Sequence, residues 1–279
     1  MWIRAWRSFP RFLGEGDHPK GGGGVAGTGL RDYASTMLRM VPLPPLRAGR
    51  ILPALLLPFL LAACQEKTEE SPFPKPKRPV SPIVSASYSN EDARDSVREA
   101  ETVMDLADIE AGMYVADIGA GEGYYTVRLS PLVGRKGRVL AQDIVPETRD
   151  ALARRVTRED LHNVGVRLGK PNDPMLPDAS FDRVFMIHMY HEIEQPSEFL
   201  WNLRPDLKKD GRVVVVDADR PTDRHGTPPR LLICEFAAVG YQLTRFERLP
   251  DSESYFAQFE PAGPRPEPKD IPVCPAVTG

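Results

Sequence analysis

Between Tyr114 and Glu260 short apolar runs alternate with longer amphipathic stretches, a pattern open to few folds. The strand-like runs are Tyr114–Ile118, Arg138–Asp143, Val164–Leu168, Phe181–Ile187 and Arg212–Asp217, interleaved with the helical candidates Tyr124–Leu132, Glu147–Thr157 and Ser197–Leu207. Val213 to Val216 are consecutive valines, apolar on both sides of the pleat, which suits a parallel strand covered on both faces. Asn90 and the acids after it open a helical stretch running toward Leu106. Pro229–Val239 supplies another helix, stopped by Gly240, and Tyr241–Leu249 and Ser254–Glu260 read as a closing pair of strands. The pattern predicts an α/β fold with a doubly wound, mostly parallel sheet.

The first strand runs into Asp117-Ile-Gly119-Ala-Gly121-Glu-Gly123, and a helix follows. Glycines permit a tight turn and let a ligand approach the backbone, while the helix presents free N–H groups. A dinucleotide turn has the spacing G-x-G-x-x-G, whereas this one is G-x-G-x-G, which disfavours a nicotinamide oxidoreductase. An acid at Asp117 would repel a pyrophosphate but suits a ligand carrying an ammonium and a sulfonium. Twenty residues after Gly123, the second strand ends in Asp143, where a carboxylate can accept from both hydroxyls of a ribose.

On these residues the chain resembles the class I S-adenosylmethionine-dependent methyltransferases. The likeness is carried by Ala111 to Leu129 and by Val133 to Asp143, with Leu176 to Asp182 and Leu207 to Arg212 matching the family's entries to its fourth and fifth strands. It implies seven strands in the order 3-2-1-4-5-7-6, the seventh antiparallel. It also implies S-adenosylmethionine as cofactor, with Asp117, Gly119, Gly121 and Gly123 around its methionine part and Asp143, with Ile144 beside it, on the ribose. Many relatives carry an acid just after strand three to meet the adenine amino group. Here Lys170 stands in that place, and Asp173 is either its substitute or a turn residue beside Pro174.

Ligands in such sheets sit beyond the carboxyl ends of the strands, and after strand four that position holds His188-Met-Tyr-His191-Glu192. His188 or His191 can act as general base for a methyl acceptor, with Glu192 orienting it, or these residues cap and pack a helix. The spacing is not the His-Glu-x-x-His of a zinc helix. With His225 and Cys234 distant in sequence no ligand set closes, so no metal is expected. The loop Arg220 to Gly226 follows strand five and is expected to shape the acceptor pocket or to lie in solvent.

The ends of the chain differ in composition. Of 29 prolines many crowd Pro72–Pro82 and Pro261–Pro275, about twice the ~5% background over the whole chain. The net charge of −3 conceals a basic front, with eight Lys/Arg against three Asp/Glu in residues 1–64, and an acidic remainder, which argues against a nucleic-acid partner. Arg47 and Arg50 precede the apolar run Ile51–Leu61, too short to span ~30 Å of hydrocarbon as a helix and matched to a secretory signal. Leu61-Ala62-Ala63-Cys64 resembles the bacterial lipobox, which implies a lipidated Cys64. With Gln65 after it, the resemblance implies delivery to an outer membrane, facing the periplasm. Signals rarely begin so far before their cut, so residues 1–36 read as an extension and 37–63 as the signal. Residues 64–88 then form a lipidated Pro-rich tether acting only as a spacer, 89–260 the methyltransferase domain and 261–279 a disordered Pro-rich tail. Cys234 and Cys274 either pair or, the favoured reading, Cys234 is a small buried hydrophobe. The expected function is methyl transfer from S-adenosylmethionine to an unidentified acceptor, a small molecule, by an exported lipoprotein. The alternative is a non-catalytic envelope interaction module that kept the fold.

Overall fold

A computed structural model describes residues 71–83 and 91–276. Cys64 and the 37–63 signal lie outside the described residues, as do 1–36. Seven strands, β1 (Tyr114–Ile118), β2 (Arg138–Asp143), β3 (Val164–Leu168), β4 (Phe181–Ile187), β5 (Leu207–Ala218), β6 (Tyr241–Arg248) and β7 (Ser254–Pro261), form one sheet in the order β3-β2-β1-β4-β5-β7-β6. The first five pair in parallel, and β7 runs antiparallel to both β5 and β6. This is the order and the antiparallel seventh strand that the resemblance implies. The helices are α1 (Glu91–Ser96), α2 (Glu99–Leu106), α3 (Tyr124–Val133), α4 (Pro146–Arg158), α5 (Pro196–Leu203) and α6 (Pro229–Ala238). Among the described residues no helix is long and apolar enough to cross a membrane.

The valine run explains the layering. Val213 and Val215 point into a core with Phe199, Leu200, Leu232 and Phe236 of α5 and α6. Val214 and Val216 point into the opposite core, with Val103 of α2 and Tyr125 and Leu129 of α3. All four valines are fully buried, each worth roughly 1.5–3 kcal/mol against an exposed position. The strand order reverses between β1 and β4, so the crevice for a ligand opens beyond Ile118 and Ile187.

Five expectations are corrected. The helix from Asn90 to Leu106 is two helices, broken where Arg98 adopts φ +51°. α2 buries Ala100, Val103 and Met104 against the sheet, whereas α1 buries nothing and is held by Arg155 and Arg128 on Glu91 and by Arg128 and the Tyr124 hydroxyl on Asp95. The helix expected over Ser197–Leu207 ends at Leu203 in a 3-10 turn, Arg204–Asp206, because Pro205 has no N–H to continue the α-ladder. The Pro-rich stretch ahead of the domain is no bare spacer over 71–83: Arg78 and Ser81 are buried and bonded to the loops after β4 and β5. Nor is the tail disordered over 261–276. The Trp201 indole donates to the Pro266 carbonyl at 2.8 Å, Arg265 lies 3.4 Å over the Trp201 ring, Ile271 is buried, and Cys274 is disulfide-bonded to Cys234. The pairing overturns the reading of Cys234 as a free buried thiol.

Candidate active site

A cleft of about 250 Å³ opens at the reversal of strand order. Its floor is the turn after β1. Gly119 adopts φ +64° with the Met189 side chain about 3.0 Å from where a Cβ would stand, so any larger residue would push into the loop after β4. Gly121 N–H donates to Asp143 Oδ2 at 3.0 Å and Val145 N–H to Oδ1 at 2.9 Å. Asp143 is therefore fixed at the end of β2 with both oxygens held from behind, and each oxygen keeps a second lone pair. Burial pushes its carboxyl above the usual range, against the backbone donors that favour the anion. Gly119, Gly121, Asp143 and Ile144 all line the cleft.

Three other expected donor residues are placed elsewhere. Asp117 does not line the cleft. It is buried beneath the turn, where its Oδ2 accepts from the Thr126 hydroxyl at 2.6 Å and so ties β1 to α3. Burial pushes its carboxyl up to about 6 against the opposing hydrogen bond from Thr126. Gly123, at φ +89°, faces Leu152 of α4, whose Cδ1 would be 2.4 Å from an added Cβ, so this glycine serves close helix packing rather than ligand approach. Asp173 is a turn residue: its Oδ1 accepts from Met175 N–H at 2.7 Å, and Lys170 and Pro171 line the cleft in its place.

Residues that periodicity does not single out complete the walls. Arg94 of α1 lines the cleft, stacked 3.9 Å over Tyr124 and paired with Glu99 at 2.6 Å. Gln142 places Oε1 3.4 Å from Gly119 N–H, while its buried Nε2 has no hydrogen-bond partner among the described residues. An orphaned buried donor beside a buried carboxylate and a backbone turn fits a polar ligand with hydroxyls and ring nitrogens, the chemistry of a nucleoside.

At the acceptor rim the two candidate histidines separate. His188 lines the cleft in the left-handed region at φ +54°, its N–H donating to Val216 O at 2.7 Å and its Nε2 lying 3.2 Å from Glu99 Oε2. Burial works against an anionic Glu99, but His188 and Arg94 outweigh it and hold the carboxyl down to about 2. His191 does not line the cleft. It is 1% exposed, with Nδ1 facing both oxygens of Asp217 at 3.0 and 3.1 Å, and Asp217 also accepts from the Thr227 hydroxyl at 2.7 Å and from Ala218 N–H at 2.9 Å. The loop after β5 brings His225 to a ring-centroid distance of 5.5 Å from His191. His191, Glu192 and His225 then offer one ligand atom each, all within 4.8 Å of one another. The expectation that no ligand set closes is thereby corrected. Sequence spacing could not find it, since His225 arrives from another strand, and Cys234 is excluded by its disulfide.

Residues 116–215 match a family model described as a methyltransferase domain. Protein-L-isoaspartate O-methyltransferase of Methanothrix thermoacetophila is 30% identical over 111 residues, 40% of this chain and 50% of the relative. The ubiquinone/menaquinone biosynthesis C-methyltransferase UbiE of Pasteurella multocida is 30% identical over 125 residues, 42% of this chain and 44% of the relative. The chain thus spans about half the length of the curated relatives it matches. A crystal structure of an S-adenosylmethionine-dependent methyltransferase from Aquifex aeolicus shares the fold, with a TM-score of 0.57 and 23% identity over 62% of this chain and 98% of that one. The likeness to methyltransferases thus lies in residues 116–215 of the sequence and in the fold.

Proposed function

We propose that the cleft binds S-adenosylmethionine and that the chain transfers its methyl group to a small-molecule acceptor held at the rim formed by the ends of β4 and β5. The observation that carries this reading is Asp143, a buried carboxylate lining the cleft with its oxygens pre-set by Gly121 and Val145. Asp143 accepts the ribose hydroxyls, Gln142 Nε2 donates to a nucleoside acceptor, and Arg94 offers a cation to the amino-acid carboxylate. Ile118, Ile144 and Phe199 give the cleft apolar walls that exclude water. When bound, the donor supplies an electrophilic methyl whose bond to the acceptor atom forms as its bond to sulfur breaks, the electron pair leaving on sulfur. The protein's work is to align the acceptor and take up its proton. His188 is the better-placed base, because it lines the cleft and Glu99 orients its ring, whereas His191 lies beneath.

Titration calorimetry of the full chain with S-adenosylmethionine and S-adenosylhomocysteine tests the donor site, and silence with both overturns it in favour of an interaction module on a retained fold. His188→Ala should lower turnover by roughly 10²–10⁴-fold with donor affinity intact. Full activity would leave alignment alone as the mechanism.

We also propose that the chain is exported and anchored through lipid on Cys64. Support comes from Leu61–Cys64 and from the Cys234–Cys274 disulfide, which suits an oxidising compartment. Intact mass of the membrane-extracted protein tests this, and a mature form retaining residues before Cys64 would overturn it.

A further inference from the structure

We propose that His191, Glu192 and His225 bind one divalent transition-metal ion beside the cleft. One ligand atom of each lies within 4.8 Å of the others. Coordination at ~2.0–2.2 Å needs donors closer than that, so the partly exposed side chains of Glu192 and His225 must draw in toward His191 when an ion binds.

The second observation is His191 itself. Asp217 holds its Nδ1 and is fixed in turn by Thr227 and Ala218, the carboxylate–imidazole arrangement that orients a metal-binding histidine. Nε2 is then the nitrogen left for an ion. It is buried and has no hydrogen-bond partner among the described residues. Such a buried nitrogen calls for a partner.

The third is the support of the ligands' backbone. Ser81 N–H donates to His191 O at 3.2 Å, and His225 N–H donates to Ser81 Oγ at 3.1 Å, so one serine of the Pro-rich segment pins both histidines. Arg78 donates to the carbonyls of Tyr190 and Ile193 at 3.4 and 3.0 Å and so braces the turn that carries Glu192. His225 is held in the left-handed region at φ +54°.

Two imidazoles and one carboxylate favour zinc, iron or manganese over calcium or magnesium, and three protein ligands leave positions open. Glu192 also lines the cleft, so an ion held by it would stand beside the acceptor side. Such an ion would hold an oxygen of the acceptor, a role that rests on the proposed methyl transfer. The site itself does not.

The test uses the full chain purified without a histidine tag, stripped with chelator, and dialysed against Zn²⁺, Co²⁺ or Mg²⁺, with bound metal counted by plasma mass spectrometry. One equivalent of Zn²⁺ or Co²⁺ is expected, with visible Co²⁺ absorption bands. His225→Ala and Glu192→Gln should each weaken binding at least ~10-fold, and Asp217→Asn by ~10–100-fold. His162→Ala, on an exposed surface, should change nothing. Melting curves of the metal-free proteins identify any variant that fails to fold, and Glu192→Gln, at a partly exposed position, keeps the test open if His225→Ala does. No bound equivalent, Mg²⁺ competing equally with Zn²⁺, or His225→Ala and Glu192→Gln both binding like the parent overturns the site. Calorimetry with S-adenosylmethionine on the metal-free protein reads the donor cleft separately.

Discussion

Arg78 Nε donates to Glu235 Oε1 at 2.9 Å, and both side chains are almost completely buried. The pair joins the Pro-rich segment ahead of the sheet to α6, across 157 positions of sequence. The Tyr190 hydroxyl donates to the other Glu235 oxygen at 2.8 Å. Burial raises the Glu235 carboxyl, while Arg78 and Tyr190 pull it down.

Removing one partner leaves the other charged and dry. Arg78→Ala should cost ~3–5 kcal/mol in urea unfolding, whereas Arg78→Met with Glu235→Gln should cost much less. Arg78 also braces the 190–193 turn, so Arg78→Ala should weaken Zn²⁺ binding. Stability equal to the parent would mean the segment is not docked in solution.

The Cys234–Cys274 bond closes a loop across 40 positions of sequence and fastens the tail to α6. Replacing both cysteines by Ala should lower stability by about 2–4 kcal/mol. Free-thiol titration of the unreduced protein should find neither cysteine reactive, and labelling of both would disprove the pairing.

Donor binding should depend on Asp143 and Gly121 for different reasons. Asp143→Ala removes the acceptor for two hydroxyls, a loss on the order of 1.5–3 kcal/mol measured by calorimetry. Gly121→Val places a branched side chain on the cleft floor and should abolish binding while the circular dichroism of the sheet persists. If both variants bind S-adenosylmethionine like the parent, the cleft is not the donor site.

Asp206 is 3% exposed, and burial, then the charges of Asp178 and Asp173, push its carboxyl from 3.8 up to about 7. The folded protein therefore holds a proton that the unfolded chain has already released between about pH 4 and 7. Stability falls as pH rises through that window. Asp206→Asn mimics the protonated acid and should stabilise the protein at pH 8 by on the order of 1–2 kcal/mol. The gain should vanish below pH 4. A pH-independent difference between the two proteins would rule this out.

Much of the fold is encoded locally in the sequence. β1 to β4 match their expected bounds because an apolar run between a turn and a helix reports its own burial. The G-x-G-x-G turn and the acid ending β2 were legible in the same way, since each lies at a strand end whose position the pattern already marks. Less legible was the division of labour inside that motif. Asp117 and Gly123 carry its signature yet serve packing under α3 and against α4, because motif spacing records both ligand contact and helix packing without separating them.

The sheet, its helical layers and the place of the cleft follow from the order of residues alone, because periodic burial and turn chemistry act over a few residues. What the Pro-rich ends do, which histidine meets the cleft, and the approach of His225 to His191 and Glu192 emerge in the folded chain. Those contacts join segments far apart in the chain, and each depends on the direction of single side chains after the sheet has closed. No period in the sequence encodes that direction.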